Sequence, residues 1–241
     1  MKRFFLILMF VSLCGASAMA QMTLETKSTS ESNAKLSHFK AVNINASMLV
    51  TLKRVDDPSQ CRVAYDLMGN TDSRFEFLID KDSTLVVKEK SSTKRLKRSE
   101  MTIYYHTLSD IKISKAIVTL EGELECGVVD IRLSSSASFT GKIEAKDMRV
   151  TATGGGVLKL EGECRYIDVE ATLNSLINLG GVESMSSRIN ASHGAQVMVS
   201  VSERIETRAT AGAIVKYKGN PSIKRNSEAF IGGDVFHVDT F

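Results

Sequence analysis

Three glutamates, Glu125, Glu144 and Glu163, recur every nineteen residues, with Glu183 one place out of step. If each nineteen-residue segment is one coil of a stack, their carboxylates form a column with one residue per coil. Such a column could hold a cation or accept hydrogen bonds from a glycan, and paired carboxylates are also what glycoside hydrolysis requires. The competing reading, and the preferred one, is an exposed face balanced by Lys142, Lys146 and Arg165, because stacked like charges repel at strand spacing. The histidines His38, His106, His193 and His237 share no local motif, and His193 reads as a solvated turn residue. A Gly-x-Ser-x-Gly nucleophile motif and a phosphate loop are both missing. The Gly-Gly-x-Gly-x-Asp calcium repeat is missing too, since Gly154-Gly155-Gly156 is followed by Val157 and Leu158.

The densest charge run is Lys88 to Arg98, in which Lys94, Arg95, Lys97 and Arg98 place four cations within five residues. These four are the candidate ligand-binding residues, for an acidic glycan or another anion, because a cluster outlasts screening that weakens scattered charges. The plainer reading is a solvated loop between two strands. No aromatic residues interleave for base stacking, and the net charge of +3 includes Lys2 and Arg3, so a nucleic-acid partner is not expected.

Lys2 and Arg3, an apolar run from Phe4 to Leu13, and Ala18-Met19-Ala20 together read as a secretion signal over 1–20, with the mature chain starting at Gln21. In a rival reading Cys14 is lipidated, but Leu13 is bulky where a lipobox wants a small residue. No later segment is long and apolar enough to be expected to span a bilayer as a helix. Export would leave Cys61, Cys126 and Cys164, an odd number. Cys126 and Cys164 lie two repeats apart, about 9–10 Å along a stack, too far for a disulfide. Buried free thiols are therefore expected. With no C-x-x-C spacing, neither a zinc site nor any cofactor is expected.

These side chains need an element that repeats, and the sequence supplies one. Blocks beginning at Asp110, Val129, Met148, Ile167, Ser186 and Ile205 resemble one another, with Ser114, Ser134, Ala152, Ala171, Ala191 and Ala209 at their centres. A Pro-poor, β-rich period near twenty residues marks a solenoid. Val150, Val169 and Ile189 fit its inward column, and Arg149, Asp168 and Arg188 its outward side. Ser134-Ser-Ser136, Gly154-Gly-Gly156 and Ala211-Gly-Ala213 fit a corner where a bulky Cβ would obstruct the bend. The expected fold is all-β: a right-handed parallel β-helix or related solenoid, with an N-terminal β section and no sizeable helix after the leader. Residues 21–37, rich in Ser, Thr, Glu and Lys, read as a flexible tether, and 38–241 as a single domain. Val42 to Leu52 alternates without a break and predicts a strand, with further strands at Arg62–Leu67, Arg74–Ile79, Ser83–Glu89 and Met101–His106. Asn45-Ala-Ser47 echoes Asn190-Ala-Ser192, which suggests that the repeat starts before Asp110.

The alternating strand after Phe39, the Val-x-Ala-Thr-x-Gly-Gly repeats and the ending Val215-Lys-Tyr-Lys-Gly-Asn-Pro221 resemble the auto-transporter adhesin, head GIN-domain family. Tyr217, Gly219 and Pro221 are the most specific part of the match, which covers about Leu36 to Phe241. The resemblance implies an exported bacterial β-helix-like domain of the Bacteroides type, adhesive by name and without catalytic residues. Leu173-Asn-Ser175 and Ser192-His-Gly194 stand where the family pattern has Ser-Gly-Ser corners. The expected function is a non-catalytic envelope or surface module, not an enzyme, that binds a glycan or another envelope protein. The alternatives are a polysaccharide-processing enzyme and an envelope scaffold.

Overall fold

Burial in this chain alternates with period two over long stretches, and the fold follows from that pattern being carried around corners. The computed structural model describes residues 31–69, 74–90, 97–227 and 232–241. The predicted leader, and residues 21–30 of the predicted tether, lie outside the described residues. An N-terminal section holds β1 (Glu31–Lys35), β2 (Ala41–Asn45), β3 (Leu49–Arg54), β4 (Arg62–Asp66), β5 (Arg74–Ile79), β6 (Thr84–Lys90) and β7 (Glu100–Tyr105). The repeats follow as β8 (Asp110–Ser114), β9 (Ile117–Ser134), β10 (Ser138–Ala152), β11 (Val157–Ala171), β12 (Leu176–Ala191), β13 (Gln196–Ala209), β14 (Ala213–Lys218), β15 (Ile223–Ser227) and β16 (Gly233–His237). Among the described residues there is no α-helix, only a 3-10 turn at Pro58–Gln60.

Strands β9 to β13 each pair in parallel with the next. From β10 to β11 the offset is nineteen residues throughout, with Ser138 opposite Val157 and Ala152 opposite Ala171. The chain is a β-solenoid of about six turns. Val150, Val169 and Ile189 are fully buried in register, as expected. The neighbouring inward column is Ile113, Leu133, Ala152, Ala171, Ala191 and Ala209. Ser114 and Ser134, expected in that column, each lie one residue further along and are half-buried. Burial, not residue size, sets the phase, so the apolar Ile113 and Leu133 take the inward places.

From β9 to β14 the corner between each strand and the next is a tight turn with two successive left-handed residues: Ser135-Ser136, Gly154-Gly155, Leu173-Asn174, His193-Gly194 and Ala211-Gly212. The flanking carbonyl closes the turn, as when Ser134 accepts from Ala137 N–H at 3.1 Å, which makes it a type I′ turn. The second left-handed residue donates its N–H to the first of the next coil: Ser136 to Gly154 (2.8 Å), Gly155 to Leu173 (2.9 Å), Asn174 to His193 (3.0 Å) and Gly194 to Ala211 (3.1 Å). Backbone bonds thus stack this corner, and five different residue pairs serve it.

Strands β2 and β3 form the first coil, with Ala41 opposite Asp110 and Leu49 opposite Ile117. The repeat therefore does begin before Asp110, although Ile44, not Ala46, lies level with Ala191. The predicted single strand from Val42 to Leu52 is two strands with a bend at 46–48. Val42, Ile44, Ala46, Met48, Val50 and Leu52 are all buried, so the alternation carries straight through the corner and does not reveal it. On the outer side of this coil β6 and β7 add parallel strands, then β5 and β4 pair antiparallel to them. This layer covers the open edge of the parallel stack, as terminal units of repeat folds must. Strand β1 pairs antiparallel with β4, so residues 31–35 are a strand and not part of a tether. Its sequence lacks apolar alternation, and Ala34 is its one residue in the buried core.

Candidate functional site

Each long strand of the repeats bends where two outward residues follow one another. At Gly127-Val128 and Arg165-Tyr166 both residues are exposed, which shifts the period-two phase and turns the chain. Gly127, Lys146, Arg165 and Met185 are skipped by the pairing ladders and line up as a seam. An open groove runs along the stack on each side of it.

The first groove, about 1100 Å³, is lined by Glu125, Glu144, Glu163 and Glu183 with Lys146 and Arg165. All four glutamates are in register. Glu183, expected one place out, is brought into line by a register shift between Lys159 and Glu161 that absorbs the extra residue. Arg54 caps the column, 2.9 Å from Glu125, and this hydrogen bond raises the arginine's pKa. Glu144, Glu163 and Glu183 make no ion pair among the described residues. The expected balance by Lys142 is displaced by one column, where Lys142 stands between Glu123 and Glu161.

The second groove, about 830 Å³, contains a different arrangement. Asp130, Arg149, Asp168, Arg188, Glu206 and Arg225 stack in register with strictly alternating sign. Distances are 3.8 Å for Arg149 to Asp168, 3.4 Å for Arg188 to Glu206 and 3.6 Å for Arg225 to Glu206. Above Asp130 the alternation fails at Asp110, and Arg132 bridges both carboxylates at 3.1 and 2.6 Å. Hydrogen bonding from Arg204 and Arg188, with their charges, holds the Glu206 carboxyl below its ordinary range. The expected outward side at Arg149, Asp168 and Arg188 is this ladder.

Lys97 and Arg98 of the basic run line neither groove. Lys97 and Arg98 are exposed just before β7, while Lys94 and Arg95 lie outside the described residues. His38 and His106, far apart in sequence, come together with ring centroids 6.0 Å apart, and His106 Nδ1 donates to the Val55 carbonyl at 3.1 Å. His193 is exposed at its turn, as expected, and His237 Nε2 donates to the Gly219 carbonyl at 2.8 Å. Cys61 and Cys164 are buried free thiols, whereas Cys126, also free, is only partly buried at the seam. Desolvation raises the Cys164 thiol to about 11 and raises Cys61 and Cys126 too, which makes poor nucleophiles of all three. Among the described residues no group of three or more His, Cys, Asp or Glu converges to hold a metal ion.

Tyr166 was not singled out from the sequence, yet it is 46% exposed and lines the second groove. Arg165, on the first-groove side, stacks over it at 4.7 Å from the centroid. The available signal was the break in alternation at Arg165-Tyr166, level with Gly127-Val128.

The closing Tyr217, Gly219 and Pro221 are tightly seated. Tyr217 and Pro221 are buried, and a Cβ on Gly219, at φ +104°, would lie 2.1 Å from the Val201 carbonyl oxygen. The family described as "Putative auto-transporter adhesin, head GIN domain" matches residues 38–221. The chain belongs to this family. No curated protein matches it. Among solved structures, this head GIN-domain protein is similar to a "putative adhesin" of Bacteroides fragilis, with TM-score 0.76 and 19% identity over 86% of this chain and 96% of the other. A "putative adhesin" of Parabacteroides distasonis gives TM-score 0.66 and 15% identity over 86% and 96%. A "putative lipid binding protein" of the same species gives TM-score 0.64 and 13% identity over 87% and 96%. At these identities the likeness is one of fold. No helix among the described residues of the head GIN-domain chain is long and apolar enough to cross a membrane.

Proposed function

We propose that this protein is an exported, non-catalytic adhesin-like module of the cell envelope that binds an extended partner, a glycan chain or another surface protein, along its coils. The observation that carries this reading is the pair of open grooves flanking the seam and crossing several coils. A trough of that form fits an elongated polymer better than a small substrate, which calls for an enclosed pocket. Membership of an adhesin-named family and the leader-like N-terminus support the same reading. Each groove is built on paired strands, so its side chains are held in fixed register.

The test combines a glycan array with pull-down from envelope extract, using the purified protein. Saturable binding to a glycan or an envelope protein, without release of reducing sugar, is the expected result. Release of reducing sugar would overturn the non-catalytic assignment, and absence of any partner would overturn the binding module. N-terminal sequencing of the exported chain should find Gln21 first; a lipid-modified Cys14 would replace simple cleavage with anchoring.

A further inference from the structure

The two grooves differ in what they offer a polymer, and the second is the more specific. Val128, Asp147, Tyr166, Ser186, Arg204 and Ile223 stand in register along it, one per coil. Five strand spacings make this line roughly 24 Å long, enough for a short oligosaccharide. We propose that this groove is a subsite for a neutral glycan, in which the Tyr166 ring receives the C–H face of a pyranose. The inference rests on the binding-module reading and gives it a ligand class.

Three observations carry it. The ring is exposed but anchored: Tyr166 is paired on both sides, its carbonyl accepts from the Cys164 thiol at 3.2 Å, and Arg165 covers the ring from the first groove. An aromatic plane held in one orientation loses little conformational freedom when a sugar stacks on it. The groove's cations are already engaged, Arg149 with Asp168, and Arg188 and Arg204 with Glu206. Asp147 and Glu203 line the same groove and make no ion pair among the described residues. Their carboxylates can accept hydrogen bonds from sugar hydroxyls and repel an anionic chain, which is discrimination by an unfavourable contact. The half-buried Ser186 hydroxyl adds a group that both donates and accepts.

Electrophoresis through gels containing a soluble α-glucan, a β-glucan, a mannan or anionic polygalacturonate tests the proposal. At least one neutral polymer should retard the protein, polygalacturonate should not, and added salt should change little. Tyr166→Ala should weaken the retardation about tenfold while Tyr166→Phe keeps it. Asp147→Ala should weaken it as well, and thermal melts of all three variants identify any loss of folding. Equal retardation of wild type and a folded Tyr166→Ala would overturn the subsite and leave the binding module standing. Retardation by polygalacturonate alone would overturn the neutral-ligand assignment. No retardation by any polysaccharide, together with capture of an envelope protein, would also overturn the subsite and spare the module. Absence of both would overturn the subsite and the module together.

Discussion

On the second-groove side of the seam the charges along the stack answer one another, Asp130 to Arg149 to Asp168 to Arg188 to Glu206 to Arg225. Across the seam four glutamates stand in line with a single arginine, Arg54, at the top. Both columns arise from the same parallel, in-register geometry, which multiplies whatever residue occupies a position. At strand spacing in water two unit charges repel by about 0.9 kcal/mol, so a repeated charge costs little per step when exposed and more where solvent is excluded. The alternating ladder turns repetition into attraction. The glutamate column leaves its charge to solvent, counter-ions or a partner. The first column holds coils together, and the second leaves its side of the seam negatively charged.

The largest expected effect breaks the register that aligns the glutamates. Gly162 precedes Glu163 with φ +124°, and a Cβ there would lie 2.1 Å from the Ile143 carbonyl oxygen. Gly162→Ala should cost about 3 kcal/mol in urea unfolding, because the backbone must shift to admit the methyl. Gly127→Ala on the seam, with nothing within 4 Å, should stay within about 0.5 kcal/mol. Equal losses would show that the seam is as constrained as the strand at Gly162.

Charge reversals come next. Arg149→Glu would set four acids in successive rungs, counting Asp110 above Asp130, at an expected cost of about 1 kcal/mol. Glu144→Arg would interrupt the glutamate column between Glu125 and Glu163 and should gain about 0.5 kcal/mol. Both shifts should shrink in high salt, since the residues are exposed. Same-sign effects at the two sites would erase the contrast between the columns.

Acid should act on the ladder through Glu206. Its folded pKa is depressed, first by hydrogen bonding from Arg204, so its contribution is present above the ordinary carboxylate range and lost as pH falls through the folded value. The stability difference between wild type and Glu206→Gln, measured by thermal melts, should therefore be present at neutral pH and vanish in acid. A difference that persists or grows in acid would remove Glu206 from this role.

The smallest effect belongs to the basic loop. Changing Lys94, Arg95, Lys97 and Arg98 together to Ser should shift stability by under about 0.5 kcal/mol. Binding of an anionic polymer, if it occurs, should weaken in that variant and in added salt, while binding in the second groove stays unchanged. Salt-insensitive anion binding by the variant would reduce the loop to a connection.

What could be read from the sequence depended on whether a signal recurs at the coil period. Val150, Val169 and Ile189 announced the inward column, and Gly154-Gly-Gly156 and its counterparts announced the corner, because each recurs at the right interval. Features that occur once were hidden. The register shift that brings Glu183 into line inserts one residue in one coil, and nothing in the residues marks where a ladder absorbs it. The bend after Asn45 was invisible because burial alternates straight through it. Strand β1 has no apolar pattern to show. The His38–His106 contact joins strand ends that only the fold makes adjacent. Tyr166 differs from its register neighbours Asp147 and Ser186 and so belongs to no repeat, as a residue specific to one ligand position would.

The alternating ladder also sets a rule of parity. If the single coil carrying Arg149 were deleted, Asp130 would come to face Asp168, acid against acid. If the coil carrying Asp168 were deleted with it, Asp130 would meet Arg188 and the alternation would be restored. Duplication obeys the same arithmetic. A rod built this way changes length most cheaply two coils at a time, and the pair, not the nineteen-residue unit, is its electrostatic repeat.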